Sequence, residues 1–248
     1  MNSEIFKKEL LCIEDEDVRR FTETALNNLP QYFFEVAASS TGKYHPTYAL
    51  GDGGLVRHTK AAVRFANHLF TIEQNKNAFS STERSCVISA IILHDGWKHG
   101  DKGSAFTTHE HPVVCADWIK NAECLNDIVN NGIRDVIASA VASHMGEWNE
   151  SKRSTIVLPK PETDVQKFVH MCDYLASRKD IEVLFDNTDT TVSVKLEVKI
   201  DDYKLTFGKH KGELITEVAK NHKDYLEWMR DNMSLQEPLK TFVQTLLA

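Results

Sequence analysis

The sequence predicts a mainly α-helical protein with a small α+β appendage at its C-terminal end. Three observations carry this. Apolar residues recur at three- and four-residue steps up to about residue 185, and the period then changes to two over Val192–Ile200. Histidines and aspartates, finally, fall in or beside successive predicted helices, in stretches such as Leu93-His94-Asp95-Gly96 and Ser143-His144-Met145-Gly146.

The elements follow in order. Leu55, Thr59, Ala62, Val63, Ala66, Leu69 and Phe70 form one apolar helix face. A second helix runs from Ser81 to about His94, capped by Ser81 or Thr82, with Val87, Ala90, Ile91 and Leu93 turned to the core. Gly96, Gly100 and Gly103 interrupt it. A third helix starts near His109 and carries Val113, Val114, Ala116, Trp118 and Ile119. A fourth spans Ile128 to Ala142 and a fifth Thr163 to Arg178, separated by the loop signal Pro159-Lys160-Pro161. Val192, Val194, Leu196, Val198 and Ile200 then alternate with Ser193, Lys195, Glu197 and Lys199, which reads as a half-buried strand. Asp201-Asp202 would turn it into a returning strand over Tyr203–Phe207, and short helical runs follow. The expected division is a helical domain over 1–186 and a β-hairpin-plus-helix module over 187–248.

The 248 residues are 42% hydrophobic and 26% charged, ordinary values for a chain that buries a core. A formal charge of −7 disfavours a broad basic surface gripping duplex DNA. Five cysteines, without any C-x-x-C pair, read as buried thiols of a reducing compartment. Neither a signal-peptide core nor an apolar run of membrane-spanning length is expected, so the sequence reads as cytoplasmic.

His58, His94, Asp95, His111, His144 and Asp173 are the candidate metal ligands. Imidazole nitrogen and carboxylate oxygen together suit the divalent metals that activate water, with Mn, Co, Fe, Mg and Zn not distinguishable. Adjacent His94 and Asp95 would project about 100° apart on a helix, so Asp95 could bridge two ions. His109 competes with His111. With a weak second site, a one-metal enzyme using His58, His94, Asp95 and Asp173 remains. Arg57 and Arg178 are candidates to pair with phosphate, or equally to form salt bridges. Trp97 and Trp148 flank the motifs and could stack on a base, with core packing as the competing reading. His45 lies ahead of Gly53-Gly54 near the site; His68, His99, His170, His210 and His222 read as surface or capping residues.

The order His, His-Asp, His, His, Asp resembles the two-metal branch of the HD-domain phosphohydrolase superfamily. His94-Asp95-Gly96-Trp97-Lys98 is similar to its HD-x-x-K. Gly53-Gly54-Leu55-Val56-Arg57-His58-Thr59 and Ser143-His144-Met145-Gly146 resemble HD-type exoribonucleases and related phosphodiesterases. His111-Pro112-x-x-Cys115-Ala116 resembles a His-Pro-x-x-Gly-Ala of cyclic-dinucleotide phosphodiesterases. The resemblance spans roughly 44–180 and departs at Gly96 and Cys115, where the family has an aliphatic residue and a glycine. It implies an HD-type helical bundle and a pair of ions: His58, His94, Asp95 and Asp173 would hold one metal, and Asp95, His111 and His144 a second. Lys98 would touch the scissile phosphate, and water would attack phosphorus without a covalent intermediate.

Leu205–Glu213 with Asp224-Tyr225-Leu226-Glu227-Trp228 resembles the F-G-K-x-x-G…Y-L-x-W module at the ends of exonuclease X-type proteins and some phage proteins. A phage origin would put the protein in the host cytoplasm. Together the resemblances imply a nucleotide phosphohydrolase, foremost a nucleoside 5′-monophosphatase. A single-strand 3′-5′ exonuclease or cyclic-nucleotide phosphodiesterase is the second expectation, and a di-iron oxygenase the third. The expected partner is a nucleotide or short single-stranded nucleic acid, with no membrane and no strong duplex binding.

Overall fold

A computed structural model describes residues 2–39, 45–100, 104, 106–185, 200–205, 208–233 and 239–247. The chain divides into two compact units, Met1–Val192 and Ser193–Ala248. Among the described residues the first unit holds helices α1 (Lys7–Leu10), α2 (Glu16–Asn28), α3 (Gly54–Phe70), α4 (Glu73–Ala78), α5 (Ser81–Leu93), α6 (His111–Asn121), α7 (Asn131–Ala142) and α8 (Asp164–Ala176).

Helix α5 is the axis of this unit and packs against α2, α3, α7 and α8. Every residue from Ser85 to Leu93 is buried, so the helix is enclosed on all sides instead of turning one face inward. Its polar residues are correspondingly partnered: Ser89 Oγ accepts a hydrogen bond from Thr22 Oγ1 of α2 at 2.7 Å. The cap is Ser80, one residue ahead of the expected position. Its hydroxyl accepts from the Glu83 amide, and the Glu83 carboxylate accepts from the Ser80 amide. Thr163 and Gln166 form the same box at the start of α8, so Thr163 caps that helix and does not begin it. Asn130 caps α7, which makes the fourth helix shorter than its apolar pattern suggests. Helix α6 begins at His111 with Pro112 in its first turn, where a missing amide proton costs nothing.

The entry to α3 explains the Gly53-Gly54 pair. A Cβ on Gly54 would overlap the backbone carbonyl of Ala49, so the preceding loop can lie this close only against glycine. Leu55, Thr59, Ala62, Val63 and Ala66 are buried as their spacing predicts, and α3 packs on α5 and α8. All five cysteines are free; Cys86, Cys115 and Cys172 are buried, while Cys124 is exposed, against the expectation for it. No helix among the described residues is long and apolar enough to cross a membrane.

The second unit contains α9 (Ile215–Asn221), α10 (Lys223–Asn232) and α11 (Leu239–Leu247) around Leu205, Ile215, Val218, Leu226, Met229, Leu239 and Val243. The expected strand over 192–199 lies outside the described residues, and its end, Ile200, opens a 3-10 turn. Of the expected returning strand, the described residues 203–205 contribute one antiparallel bridge. It pairs Lys204 with Leu214, downstream across the Gly208–Gly212 turn, because the Leu205 amide is taken by the Glu213 carbonyl at 2.9 Å. The described appendage is thus helical with a bridged turn.

Candidate metal centre

The helices of the first unit deliver the six predicted residues to one buried place. His58 sits in the second turn of α3, His94 and Asp95 at the end of α5, His111 at the start of α6, His144 just past α7, and Asp173 in the last turns of α8. Their side chains are 1–3% exposed except Asp173, at 19%. Asp173 therefore marks the mouth of the cluster.

Three of the histidines are oriented by one local device. His94, His111 and His144 each donate Nδ1–H to the carbonyl three residues earlier, on Ile91, Thr108 and Val141, at 2.7, 2.6 and 2.7 Å. A carbonyl can only accept, so Nδ1 carries a proton in each ring, and Nε2 is the atom that each neutral ring could offer to a metal. All three Nε2 atoms point into the cluster. His94 Nε2 is 3.4 Å from Asp95 Oδ2 and 3.5 Å from Asp173 Oδ1. His111 Nε2 and His144 Nε2 are 2.9 and 3.7 Å from Asp95 Oδ1, and 3.3 Å from each other. His58 Nε2 is 2.9 Å from Asp173 Oδ1.

Asp95 is the hinge of this arrangement. One oxygen faces His94 and the Lys98 ammonium; the other faces His111 and His144. Burial by itself would raise its pKa, but Lys98 and His94 hold it well below the usual carboxylate range. Asp173 is held down in the same way, chiefly by His94 against the effect of burial. Burial opposes protonation of His94 too, yet Asp95 and Asp173 overcome it and raise that pKa to about 10. Burial, then His94, pushes His144 down to about 3.

The donor set fits a divalent cation. His94 Nε2 and Asp95 Oδ1 are buried with no hydrogen-bond partner among the described residues, and an unsatisfied buried polar atom costs about 1–3 kcal/mol. Two lone-pair nitrogens at 3.3 Å also repel unless a cation or proton lies between them. Three groupings of these side chains can each hold a metal ion: His58, His94 and Asp95; His94, His144 and Asp173; and Asp95, His111 and His144. His111, not His109, enters these groupings.

The other predicted residues are placed differently. Lys98 is buried and paired with Asp95. Arg57 is not brought into the cluster: its guanidinium donates to the carbonyls of Tyr48, Leu50 and Asp52, fastening the loop ahead of α3. Arg178 lies over the Tyr174 ring at 4.2 Å and donates to Ser177 Oγ. Trp148 is 46% exposed and stacked on Tyr174, whereas Trp97 packs against the core beside Trp118.

Two further histidines take part, His45 as its position ahead of Gly53-Gly54 suggests and His170 unannounced by the sequence. His45 borders the cluster with its ring 5.0 Å from that of His58, and burial, then His58, pushes its pKa down to about 3. His170, expected at the surface, donates Nδ1–H to the His144 carbonyl at 2.7 Å and has Nε2 3.1 Å from Glu147. It clamps the turn carrying His144 onto α8. Gly146, at φ +59°, completes that turn, and a Cβ there would overlap the His170 ring. The one available signal was spacing, since His170 precedes Asp173 by one helical step of three. His210, also expected outside, is 5% exposed and packs on His222 and Tyr225.

The fold and site therefore define a helical protein with a buried histidine–aspartate centre able to hold metal. Residues 205–234 match the family described as Exodeoxyribonuclease X-like C-terminal. No curated protein and no solved structure matches the chain.

Proposed function

We propose that this protein is a metal-dependent phosphoric ester hydrolase of nucleotides, with nucleoside 5′-monophosphates as its substrates. The observation that carries this reading is Asp95, one of whose oxygens faces His94 while the other faces His111 and His144. On this reading His58, His94, Asp95 and Asp173 hold one divalent cation, and Asp95, His111 and His144 hold another. Such cations supply an acidified water and neutralise charge on a phosphoryl group. The chain's own residues do the rest. The Nδ1 hydrogen bonds keep three imidazoles aimed with Nε2 toward the cluster. The apolar residues around α5 exclude bulk water, which strengthens each charge interaction. Lys98, held beside Asp95, would donate an N–H hydrogen bond to a phosphoryl oxygen as charge gathers there. Mn, Co, Fe, Mg and Zn all suit these donors.

A single-strand 3′-5′ exonuclease with the same centre is the second reading, favoured by the match at 205–234. The experiment is phosphate release from ribo- and deoxynucleoside mono-, di- and triphosphates with Mn²⁺, Co²⁺ or Mg²⁺, beside a labelled single-stranded oligonucleotide. Orthophosphate from monophosphates with the oligonucleotide intact is the expected result. A shortened oligonucleotide with untouched monophosphates would replace the first reading by the second. Iron-dependent oxygen uptake without phosphate release would overturn both.

A further inference from the structure

Beside the mouth of the centre stands a stack of side chains that metal binding does not use. Tyr174 follows Asp173 directly on α8, and Arg178 lies one turn further along the chain. The Arg178 guanidinium carbon sits 4.2 Å from the Tyr174 ring centre. The Trp148 indole lies parallel to that ring, with centroids 5.6 Å apart and planes inclined by 7°. Trp148 belongs to the turn that follows His144, so both ends of the stack are joined to predicted metal ligands.

Three features set this stack apart from ordinary packing. Trp148 is 46% exposed, although a tryptophan used only for the core would be covered. Its backbone is nonetheless fixed: neighbouring Asn149 is buried and exchanges hydrogen bonds with Leu158, its side-chain amide donating at 3.2 Å and its carbonyl accepting at 2.9 Å. His170 also holds the same turn to α8 through the His144 carbonyl. An exposed aromatic surface is thus held rigid, at low entropic cost to whatever lands on it. Arg178 Nε, finally, is buried with no hydrogen-bond partner among the described residues, which leaves a donor at the foot of the stack.

We infer that Trp148, Tyr174 and Arg178 form a platform that receives the nucleobase of a nucleotide whose phosphate lies at the metal centre. The inference rests on the proposed hydrolase reading for the position of the phosphate. Asp173, at 19%, is the most exposed of the ligands, and Tyr174 of the platform is the next residue on α8. A nucleotide is the class of molecule that offers a phosphate and a flat π-face joined by a short linker. Stacking is tolerant of base identity, so the platform selects nucleotides over sugar phosphates without selecting one base. Arg178 polarises the stack through Tyr174 and is a specificity residue here, not a phosphate ligand.

The test is calorimetric binding of adenosine 5′-monophosphate and of ribose 5-phosphate to the Mn²⁺-loaded full chain, with hydrolysis of both followed in parallel. In the wild type the nucleotide is expected to bind roughly ten-fold or more tightly than the sugar phosphate, the scale of one base–aromatic stack. Trp148→Ala is expected to bring that ratio close to one, and Trp148→Phe, which keeps an aromatic face, to retain most of it. A Trp148→Ala ratio equal to the wild type's would overturn the platform, as would equal binding of the two ligands by the wild type. Nucleotide binding that depends on Trp148 without hydrolysis of either compound would uphold the platform while sinking the hydrolase reading. Hydrolysis with an unchanged ratio in Trp148→Ala would do the reverse.

Discussion

Replacing Asp95 with asparagine tests the centre at its hinge. Asp95 is buried and pairs with the Lys98 ammonium, itself 8% exposed at its side chain, while His94 Nε2 lies 3.4 Å away. In Asp95→Asn both groups lose their counter-charge without gaining access to water. Breaking one side of a buried ion pair costs about 3–5 kcal/mol. A domain of this size shifts by about 2–4 °C per kcal/mol, so the metal-free variant is expected to melt roughly 6–20 °C below the wild type. Combining Asp95→Asn with Lys98→Met removes both charges and should recover most of that loss. Metal adds a second readout. At a hundred times its dissociation constant, a cation that binds only the folded protein stabilises it by about 2.7 kcal/mol. The wild type should show this gain and the Asp95→Asn variant should not. The assay is circular-dichroism melting in EDTA and again with Mn²⁺. A single variant as stable as the wild type in EDTA would refute the buried pair. An undiminished Mn²⁺ shift in Asp95→Asn would remove Asp95 from the cation site.

Four further outcomes are expected. Gly146→Ala forces φ +59° on a residue with a Cβ and drives that carbon into His170; a loss of about 2 kcal/mol in urea unfolding is expected, and a neutral result would refute the clamp. His170→Ala frees the turn bearing His144 and should weaken Mn²⁺ binding by roughly ten-fold in a calorimetric titration; unaltered affinity would make His170 merely a surface residue. Metal-free stability should peak near pH 6.5 as far as three histidines govern it. Below the ordinary histidine value of 6.5 the unfolded chain takes up protons that folded His45 and His144, at about 3, refuse, so stability rises with pH. Folded His94, at about 10, contributes stability in full below 6.5 and loses it as pH rises from 6.5 through 10; a steady rise in EDTA up to pH 9 would contradict this. Lys209→Glu with Lys211→Glu reverses two exposed charges on the Gly208–Gly212 turn and, if the exonuclease reading holds, should weaken oligonucleotide binding and flatten its salt dependence. An unchanged salt slope would take the turn out of strand binding.

How much of this was legible in the sequence depends on the range of the interaction concerned. Helices α3, α5, α6, α7 and α8 were, because burial such as that of Leu55, Ala62, Val63 and Ala66 on one face of α3 leaves a periodic trace, whereas α1, α2 and α4 were not read from the sequence. The complete enclosure of α5 was less so, since Ser85 and Ser89 look solvent-facing until Thr22 supplies a buried partner for Ser89. The gathering of His58, His94, Asp95, His111, His144 and Asp173 could be anticipated from their order. The fate of Arg57 could not: its acceptors are backbone carbonyls of Tyr48, Leu50 and Asp52, which any residue would provide. His170 was hidden for the same reason, as its chief partner is the His144 carbonyl. The bridge between Lys204 and Leu214 was not read from the sequence, because alternation alone does not say which neighbour an extended segment will choose.

The hydrogen bonds from His94, His111 and His144 to carbonyls three residues back have a consequence for how the centre assembles. Each ring is oriented on its own backbone by a span of four residues, although the turn bearing His144 is further held to α8 by His170. The ligands are in this sense prefabricated parts. Damage to one helix end should subtract one donor and leave the others properly turned, giving a graded loss of affinity. The same independence makes each four-residue piece a transplantable unit, one that a designer could set at a different helix terminus with its imidazole already facing the intended ion.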